Sequence, residues 1–305
     1  MKEYMKIWNW IYKNLRPLDI ARWQYHFEKG NKEDVLKALS TYQNEDGGFG
    51  HALEPDSWNP NSSPIQTWVA TEILKEIDYK DKEHPIIRGI LKYLKSGADF
   101  KEGFWLSSVL SNNDYPHAPW WHTDINSTSQ TSYNPTACLA GFGLCYSDLD
   151  SKLHKKCKEI VAEAVNKYLE DGYLESMHTV NCYLRLMEYC EQVGIKDLFE
   201  IFKLKEKLIK QVKLSITKDK CLWEGNYICK PSQFFNSQNS IFYETNKEIG
   251  DYECEYIVNS RNVQGVWDIT WSWNEYPSEW AISENWWKGN LVICNMLYLK
   301  NFKKL

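Results

Sequence analysis

Two short stretches of the chain bring carboxylates, imidazoles and indoles close together in sequence. The first, 51–58, reads HALEPDSW and holds His51, Glu54, Asp56 and Trp58. An imidazole beside a carboxylate suits general acid–base chemistry, because each group shifts the proton affinity of the other. We predict catalytic roles for the histidine and both acids, with the tryptophan against the substrate. The alternative is an ordinary solvated loop ordered by its proline.

The second stretch, 115–124, reads YPHAPWWHTD. Its prolines keep it irregular, and irregular segments carry binding residues disproportionately often. Its histidine spacing matches no strong metal motif, so pocket lining is favoured over metal binding and no metal site is predicted. We predict that the segment contacts substrate through His117, Trp120, Trp121, His122 and Asp124.

A third candidate is the segment 251–256, DYECEY. Asp251 and Glu255 are four residues apart and therefore share one face of a helix. Like charges on one face are disfavoured unless they are solvated, paired with a cation or held for chemistry. We predict catalytic roles for both acids, and a solvated helix face is the alternative.

The last candidate is a tryptophan-rich segment near the C-terminal helix. Trp267, Trp271 and Trp273 occupy odd-numbered positions, so an extended backbone would place all three rings on one face. A wall of rings with Asp268 and Glu279 nearby suits the stabilisation of a cation or the stacking of a sugar. We predict that the three tryptophans bind substrate, and core packing is the alternative.

The composition excludes several classes of partner. A net charge of −5 gives no broad basic field for nucleic acid. The N-terminal stretch is interrupted by lysines, and no run reaches the roughly twenty apolar residues that span a bilayer. Nine cysteines without a CxxC pair indicate reduced thiols. We predict a soluble cytoplasmic protein with no integral membrane segment, whose partner is a small-molecule substrate; the sequence assigns neither cofactor nor oligomeric state.

Helical signals recur from end to end of the chain, whereas strand signals are scarce. Val35, Leu36 and Leu39 have the spacing of an amphipathic helix, and 160–169 repeats that period. Three further helix starts are predicted where a capping residue precedes proline, at Ser63-Pro64, His84-Pro85 and Asn134-Pro135. The remaining helices are predicted near 3–15, 19–29, 176–192, 197–215, 251–261 and 284–300, which gives about eleven in total.

A recurrent turn separates these helices. In each copy a glycine follows a polar or acidic residue and an aromatic residue comes soon after. The copies lie at 46–49, 102–105, 171–173, 224–227 and 264–267. Their spacing accommodates helix pairs closed by glycine turns, although turn glycines are common enough for coincidence to stay open.

The strongest copy lies within 43–50, QNEDGGFG, and resembles the Gln/Trp repeat of squalene and hopene cyclases. Protein prenyltransferase β-subunits share a similar turn. The second-best copy has Gly265 and Trp267 but carries Arg261 where the glutamine is expected. The resemblance spans roughly 40–270 and implies an all-α fold, an (α/α) toroid of about five to six helical hairpins. A single domain over 1–305 would then surround a central aromatic-lined cavity.

The catalytic motifs of the resembled enzymes are absent from the chain. It contains neither an Asp-x-Asp-Asp nor an Asp-Asp-x-x-Asp run. The last histidine, His178, precedes both candidate zinc pairs, Asp219/Cys221 and Asp251/Cys254, which reverses the order found in prenyltransferases. The resemblance therefore implies a fold more strongly than a reaction.

Three functions follow as hypotheses. The first is acid-initiated transformation of an isoprenoid-like apolar substrate, with the acid supplied near Asp56 or Asp251. The second is a carbohydrate-active enzyme of the glycoside hydrolase or lyase kind, in which two acids flank a bond over aromatic rings. The third is a non-catalytic binding module. A lining of Trp, Asn, acids and His would favour sugar, and a lining of apolar side chains with one buried acid would favour isoprenoid.

Overall fold

The computed structural model describes residues 2–127, 130–170, 172, 174–195 and 198–305. In this part of the chain it is mainly helical, which confirms the all-α class. The helices are α1 (Lys2–Asn14), α2 (Pro17–Phe27), α3 (Lys32–Ser40), α4 (Pro64–Glu76), α5 (Pro85–Ser96), α6 (Tyr133–Tyr146), α7 (Lys152–Leu169), α8 (Met177–Val193), α9 (Ile201–Ser215), α10 (Lys247–Asn259) and α11 (Pro277–Asn301). Two short antiparallel strands, β1 (Phe100–Lys101) and β2 (Phe104–Trp105), form a hairpin.

The chain divides into two compact units. Unit 1 combines the two ends of the chain, up to Ala38 and from Val212 onward, and unit 2 is Leu39–Gln211. The toroidal arrangement and the single domain stay predictions. None of the described helices is both long and apolar enough to cross a membrane.

The predicted helix starts are correct where the cap is local. The Ser63 hydroxyl accepts a hydrogen bond from the Gln66 N–H at the start of α4, and the His84 ring accepts one from Ile86 at the start of α5. The third start is two residues earlier than predicted. Helix α6 begins at Tyr133, and the Ser132 hydroxyl caps it by accepting from the Asn134 N–H. Asn134 itself is non-helical, with φ −104° and ψ 109°, as a residue before proline prefers, and the continuous helix follows from Pro135.

The core of unit 2 is built around α6, which is buried on nearly all sides and packs against α7 and α8. Close approach depends on two glycines of α6. A Cβ on Gly141 would lie 2.9 Å from the Tyr189 ring, and one on Gly143 would lie 2.5 Å from the Cys157 sulfur. A helix that is apolar all round is expected to be enclosed in this way.

All five glycines of the recurrent turn have a left-handed backbone, with φ between 71° and 94°. The helix-pair interpretation fails for Gly103, which joins β1 to β2 after Glu102 at φ 52°, a pair of positive φ values typical of a type I′ hairpin. At the third copy, Asp171 and Tyr173 lie outside the described residues. The glycines thus share a backbone conformation without sharing a role.

The strongest copy, here called the N-terminal turn (43–49), is anchored to α5. The Gln43 side-chain amide donates to the Gly47 carbonyl at 2.9 Å and to the Ile86 carbonyl at 3.0 Å. A Cβ on Gly47 would lie 2.0 Å from the Gly89 carbonyl oxygen. The glutamine therefore closes the turn, and the glycine lets it touch the helix.

The second copy, here called the C-terminal turn (261–267), has the same backbone hydrogen bonds as the N-terminal turn. The Asn262 N–H donates to the Val266 carbonyl at 2.8 Å, just as the Asn44 N–H donates to the Gly48 carbonyl at 2.9 Å. In both turns the glycine N–H donates back to the asparagine carbonyl at 2.9 Å. The two sequences thus fold into one local structure.

Candidate functional site

The structure brings the two leading candidate segments, 51–58 and 115–124, side by side within unit 2. An isolated antiparallel bridge joins them. Beside it, the Ala118 N–H donates to the Asp56 carbonyl at 2.8 Å. The acids of one segment and the rings of the other therefore belong to one site, here called the loop junction (51–59 with 107–124).

Buried amides hold the loop junction in place. Asn59 is fully buried, and its side-chain N–H groups donate to the Ser111 hydroxyl at 2.8 Å and the Asn112 side-chain oxygen at 2.9 Å. Gln66, in the first turn of α4, accepts from the Leu53 N–H at 2.9 Å and donates to the Asn59 carbonyl at 3.0 Å. Satisfied amide networks of this kind fix a single loop conformation. This group of amides was not predicted from the sequence.

The two carboxylates of the loop junction are buried. Glu54 is 5% exposed and Asp56 is 3% exposed. The Trp121 indole N–H donates to Glu54 Oε2 at 3.1 Å across the two segments. Since a buried carboxylate needs such donors to offset its lost hydration, the indole both stabilises Glu54 and fixes its orientation.

The two imidazoles of the loop junction contact each other. His117 is buried and His122 is exposed. The Nε2 atom of His117 lies 3.3 Å from Nδ1 of His122, and the rings are nearly parallel, at 15°. The other nitrogen of His117, Nδ1, lies 2.6 Å from the Tyr115 carbonyl oxygen. The inner ring is thus held on both sides, and the outer ring is accessible from solvent.

The tryptophans of the loop junction stay partly accessible. Trp120 is 47% exposed, and Trp58 and Trp121 are half-buried. Asp124, at the end of the segment, is exposed. Partly accessible rings therefore belong to the same site as the buried acids.

His51 does not pair with a carboxylate. Positive φ values at His51 (60°) and Ala52 (58°) carry the backbone through a left-handed bend, and the exposed imidazole Nε2 lies 2.8 Å from the Asn44 side-chain oxygen. The expected imidazole–carboxylate pair is therefore replaced by a contact with the N-terminal turn.

The acids predicted on α10 form a solvated face. Asp251 accepts from the Lys247 ammonium at 2.6 Å and from the Tyr243 hydroxyl at 2.8 Å, and Glu255 is exposed. Partial burial would raise the pKa of Asp251, but the hydrogen bonds from Lys247 and Tyr243 hold that pKa below its usual value. The surroundings of Asp251 and Glu255 therefore match a solvated helix face, which was the alternative to a catalytic role.

The buried acid of α10 is Glu253, which was not predicted. It is 1% exposed, and Ser232 donates to it through its N–H at 2.8 Å and its hydroxyl at 2.6 Å. Burial raises the pKa of Glu253 to about 7, against the lowering effect of these hydrogen bonds. The sequence contained a signal, because Gly250, Glu253, Cys254 and Ile257 have the i, i+3, i+4, i+7 spacing of a buried stripe.

The C-terminal tryptophans pack inside unit 1. Trp267 and Trp273 are buried, and the Trp267 indole donates to the Ile257 carbonyl at 2.9 Å. Trp271 is half-buried, with its ring 5.3 Å from that of Trp287. Of the accompanying acids, Asp268 is exposed and Glu279 is half-buried. This arrangement matches core packing, the alternative given for these rings.

No family model matches the chain, and neither the curated proteins nor the solved structures contain a match. In the described part of the chain, no three His, Cys, Asp or Glu side chains are grouped as a metal site would require. None of the nine cysteines, all of which lie in the described part of the chain, forms a disulfide, and most of them are buried. The chemistry of the loop junction therefore depends on what its own residues can do.

Proposed function

We propose that the loop junction binds a carbohydrate-like ligand and that Glu54 and Asp56 provide acid–base chemistry on it. The observation that supports this proposal is the convergence of two buried carboxylates, two imidazoles and three partly accessible indoles. Two acids near a ring platform are the arrangement that glycoside cleavage uses.

The polar lining favours a sugar over a hydrocarbon. The His122 imidazole and the Asp124 carboxylate of the loop junction are exposed, so they can hydrogen-bond to the hydroxyls of a saccharide. Polar groups that a ligand covers discriminate against a ligand that cannot hydrogen-bond to them. An isoprenoid chain offers these groups no hydrogen bond.

A groove in unit 1 supports a second candidate function, binding of an isoprenoid-like apolar ligand. Its volume is about 590 Å³, within the range of small-molecule sites. Ile7, Phe27 and Met296 supply apolar surface, and Arg261 and Lys300 supply positive charge. None of the described side chains that line it is a carboxylate, so the groove supports binding and gives no acid for cyclisation.

Calorimetric titration with cello-, xylo-, malto- and chito-oligosaccharides tests the first candidate. We expect one series to bind, and Trp120→Ala to weaken that binding about tenfold through the loss of one stacking ring. Phe202→Ala, which removes an exposed ring from α9, is the matched control and should leave the affinity unchanged. If farnesol and farnesyl diphosphate bind and no saccharide does, the second candidate replaces the first.

Catalysis is tested separately with nitrophenyl glycosides of the sugar that binds. Glu54→Gln keeps an oxygen for the Trp121 indole and removes the carboxyl group that would exchange a proton, so turnover should be lost while affinity is retained. Binding without turnover in the unsubstituted protein would leave a binding module, the third hypothesis.

A further inference from the structure

The hydrogen bonds of the loop junction fix the position of the proton on each imidazole. A carbonyl oxygen can only accept, so the Tyr115 carbonyl at 2.6 Å requires a proton on Nδ1 of His117. In the neutral ring the other nitrogen, Nε2, then carries a lone pair. His117 is therefore an acceptor toward His122.

The same argument extends to the outer ring. Because His117 Nε2 accepts, the hydrogen bond at 3.3 Å requires a proton on Nδ1 of His122. Neutral His122 then carries its lone pair on Nε2. In the described part of the chain, His117 is the hydrogen-bond partner of His122, and the outer ring is exposed. A basic nitrogen is thus presented to solvent beside Trp121, the donor to Glu54.

We propose that His122 is a further proton acceptor of the loop junction, beside Glu54 and Asp56, and that His117 is its positioning residue. His117 holds the outer ring in the Nδ1–H tautomer, which leaves Nε2 free to accept. When a ligand hydroxyl or a water molecule reacts, its O–H bond breaks, the electron pair stays on oxygen and the proton passes to Nε2, forming an imidazolium. Exposure lets this proton return to water. The identity of the ligand rests on the proposed function, but the tautomer does not.

A histidine that serves packing alone would not need this tautomer. Which ring nitrogen is protonated is set by the hydrogen bond of the other nitrogen, and an unconstrained ring in water favours Nε2–H. The contact chain from the Tyr115 carbonyl through His117 reverses that preference. The reversal is the measurable consequence of the proposal.

Nitrogen NMR of the full chain labelled with ¹⁵N-histidine tests the tautomer without any ligand. At alkaline pH we expect His122 to show a protonated Nδ1 and an unprotonated Nε2. His117→Phe removes the acceptor and should return His122 to the Nε2–H form. His117→Gln supplies an amide oxygen near the lost nitrogen and should restore Nδ1–H. An Nε2–H signal in the unsubstituted protein would overturn the proposal.

Acylation by diethyl pyrocarbonate, followed by peptide mass spectrometry, tests the basic nitrogen directly. Among the seven histidines, His122 should react fastest, and His117→Phe should slow it several-fold while His117→Gln does not. Circular dichroism shows whether each variant has folded. If His117→Phe has not folded, the reactivity of His122 in His117→Gln is compared with that in the unsubstituted protein. Equal reactivity of His122 in all three proteins would also overturn the proposal.

The two proposals fail in different measurements. If His122 has a protonated Nδ1 and no saccharide binds, the proposal for His117 and His122 is retained and the carbohydrate proposal is rejected. If saccharides bind but His122 is Nε2–H, the sugar site stands and His122 is not its proton acceptor.

Discussion

The two units contain the same kinds of residue and the same turn in different arrangements. Each has the same glycine turn, a buried carboxylate and several tryptophans. In unit 2, Glu54 accepts from Trp121, and the neighbouring Trp120 is 47% exposed. In unit 1, Trp273 is fully buried and Glu253 is only 1% exposed. Residue type alone therefore does not mark a site. Accessibility of the neighbouring rings separates a surface that can accept a ligand from a core that cannot.

The N-terminal and C-terminal turns likewise share a local structure but differ in what they contact. Both are closed by an asparagine and a glycine, but the first residue differs. Gln43 hydrogen-bonds the carbonyls of its own turn and of α5, whereas the Arg261 guanidinium lies 5.3 Å from the centre of the Trp267 ring. The asparagine and glycine specify the backbone, and the first residue determines what the turn is anchored to.

The largest expected effect concerns the glycine of the N-terminal turn. Gly47→Ala adds a Cβ 2.0 Å from the Gly89 carbonyl oxygen at φ 94°, so we expect a loss of about 3 kcal/mol in the free energy of unfolding. Gly225→Ala is the matched control, since its φ is 71° and nothing lies within 4 Å of the new Cβ. It should cost about 1 kcal/mol, from backbone strain alone. Equal urea midpoints for the two variants would show that the contact with α5 is unimportant.

The next largest effect is a pH dependence of stability caused by Glu253, the buried carboxylate on α10 in unit 1. Because burial raises the pKa of Glu253 to about 7, the native state binds a proton that the unfolded chain has already released. Stability should therefore be highest below the unfolded pKa and fall as the pH rises toward 7, by at most about 3 kcal/mol.

Glu253→Gln provides the comparison for this pH dependence. The amide keeps an acceptor for Ser232 and cannot ionise, so the fall in stability over this range should disappear. Urea unfolding at several pH values measures the slope. A slope that is identical in Glu253→Gln would assign the pH dependence to other groups.

The smallest effect compares the first residues of the two turns. Gln43→Ala leaves two carbonyls without their side-chain donor and should cost about 1.5 kcal/mol. Arg261→Ala removes a contact with the Trp267 ring and should cost about 0.5 kcal/mol. Thermal unfolding of the two variants measures the difference. If Arg261→Ala were the more damaging change, the anchoring described for the two turns would be reversed.

The helices could be predicted from the sequence because their signals are local. Apolar spacing and the Ser63 and His84 caps lie within one turn of the structure that they specify. The Asn134 side-chain oxygen accepts from the Cys182 thiol instead of capping α6, and this contact with a distant residue is not specified by the local pattern. The toroid depends on contacts between distant segments, and the resemblance alone supports it.

The candidate site could be predicted only as separate pieces. The residue types in 51–58 and 115–124 marked both segments, but the hydrogen bond between Glu54 and Trp121 joins positions far apart in sequence. Nothing in either segment specifies that pairing. The orientation of His51 depends on a left-handed backbone, and a histidine in the sequence does not predict that conformation.

The contact between the N-terminal turn and α5 restricts how this sequence can vary. A Cβ on Gly89 would lie 2.2 Å from the Gln43 amide nitrogen, and a Cβ on Gly47 would strike the Gly89 carbonyl. The residue types allowed at these three positions therefore depend on one another. In homologues that keep this contact, a side chain at 89 should accompany a shorter residue at 43, so that the two positions covary while glycine at 47 stays invariant.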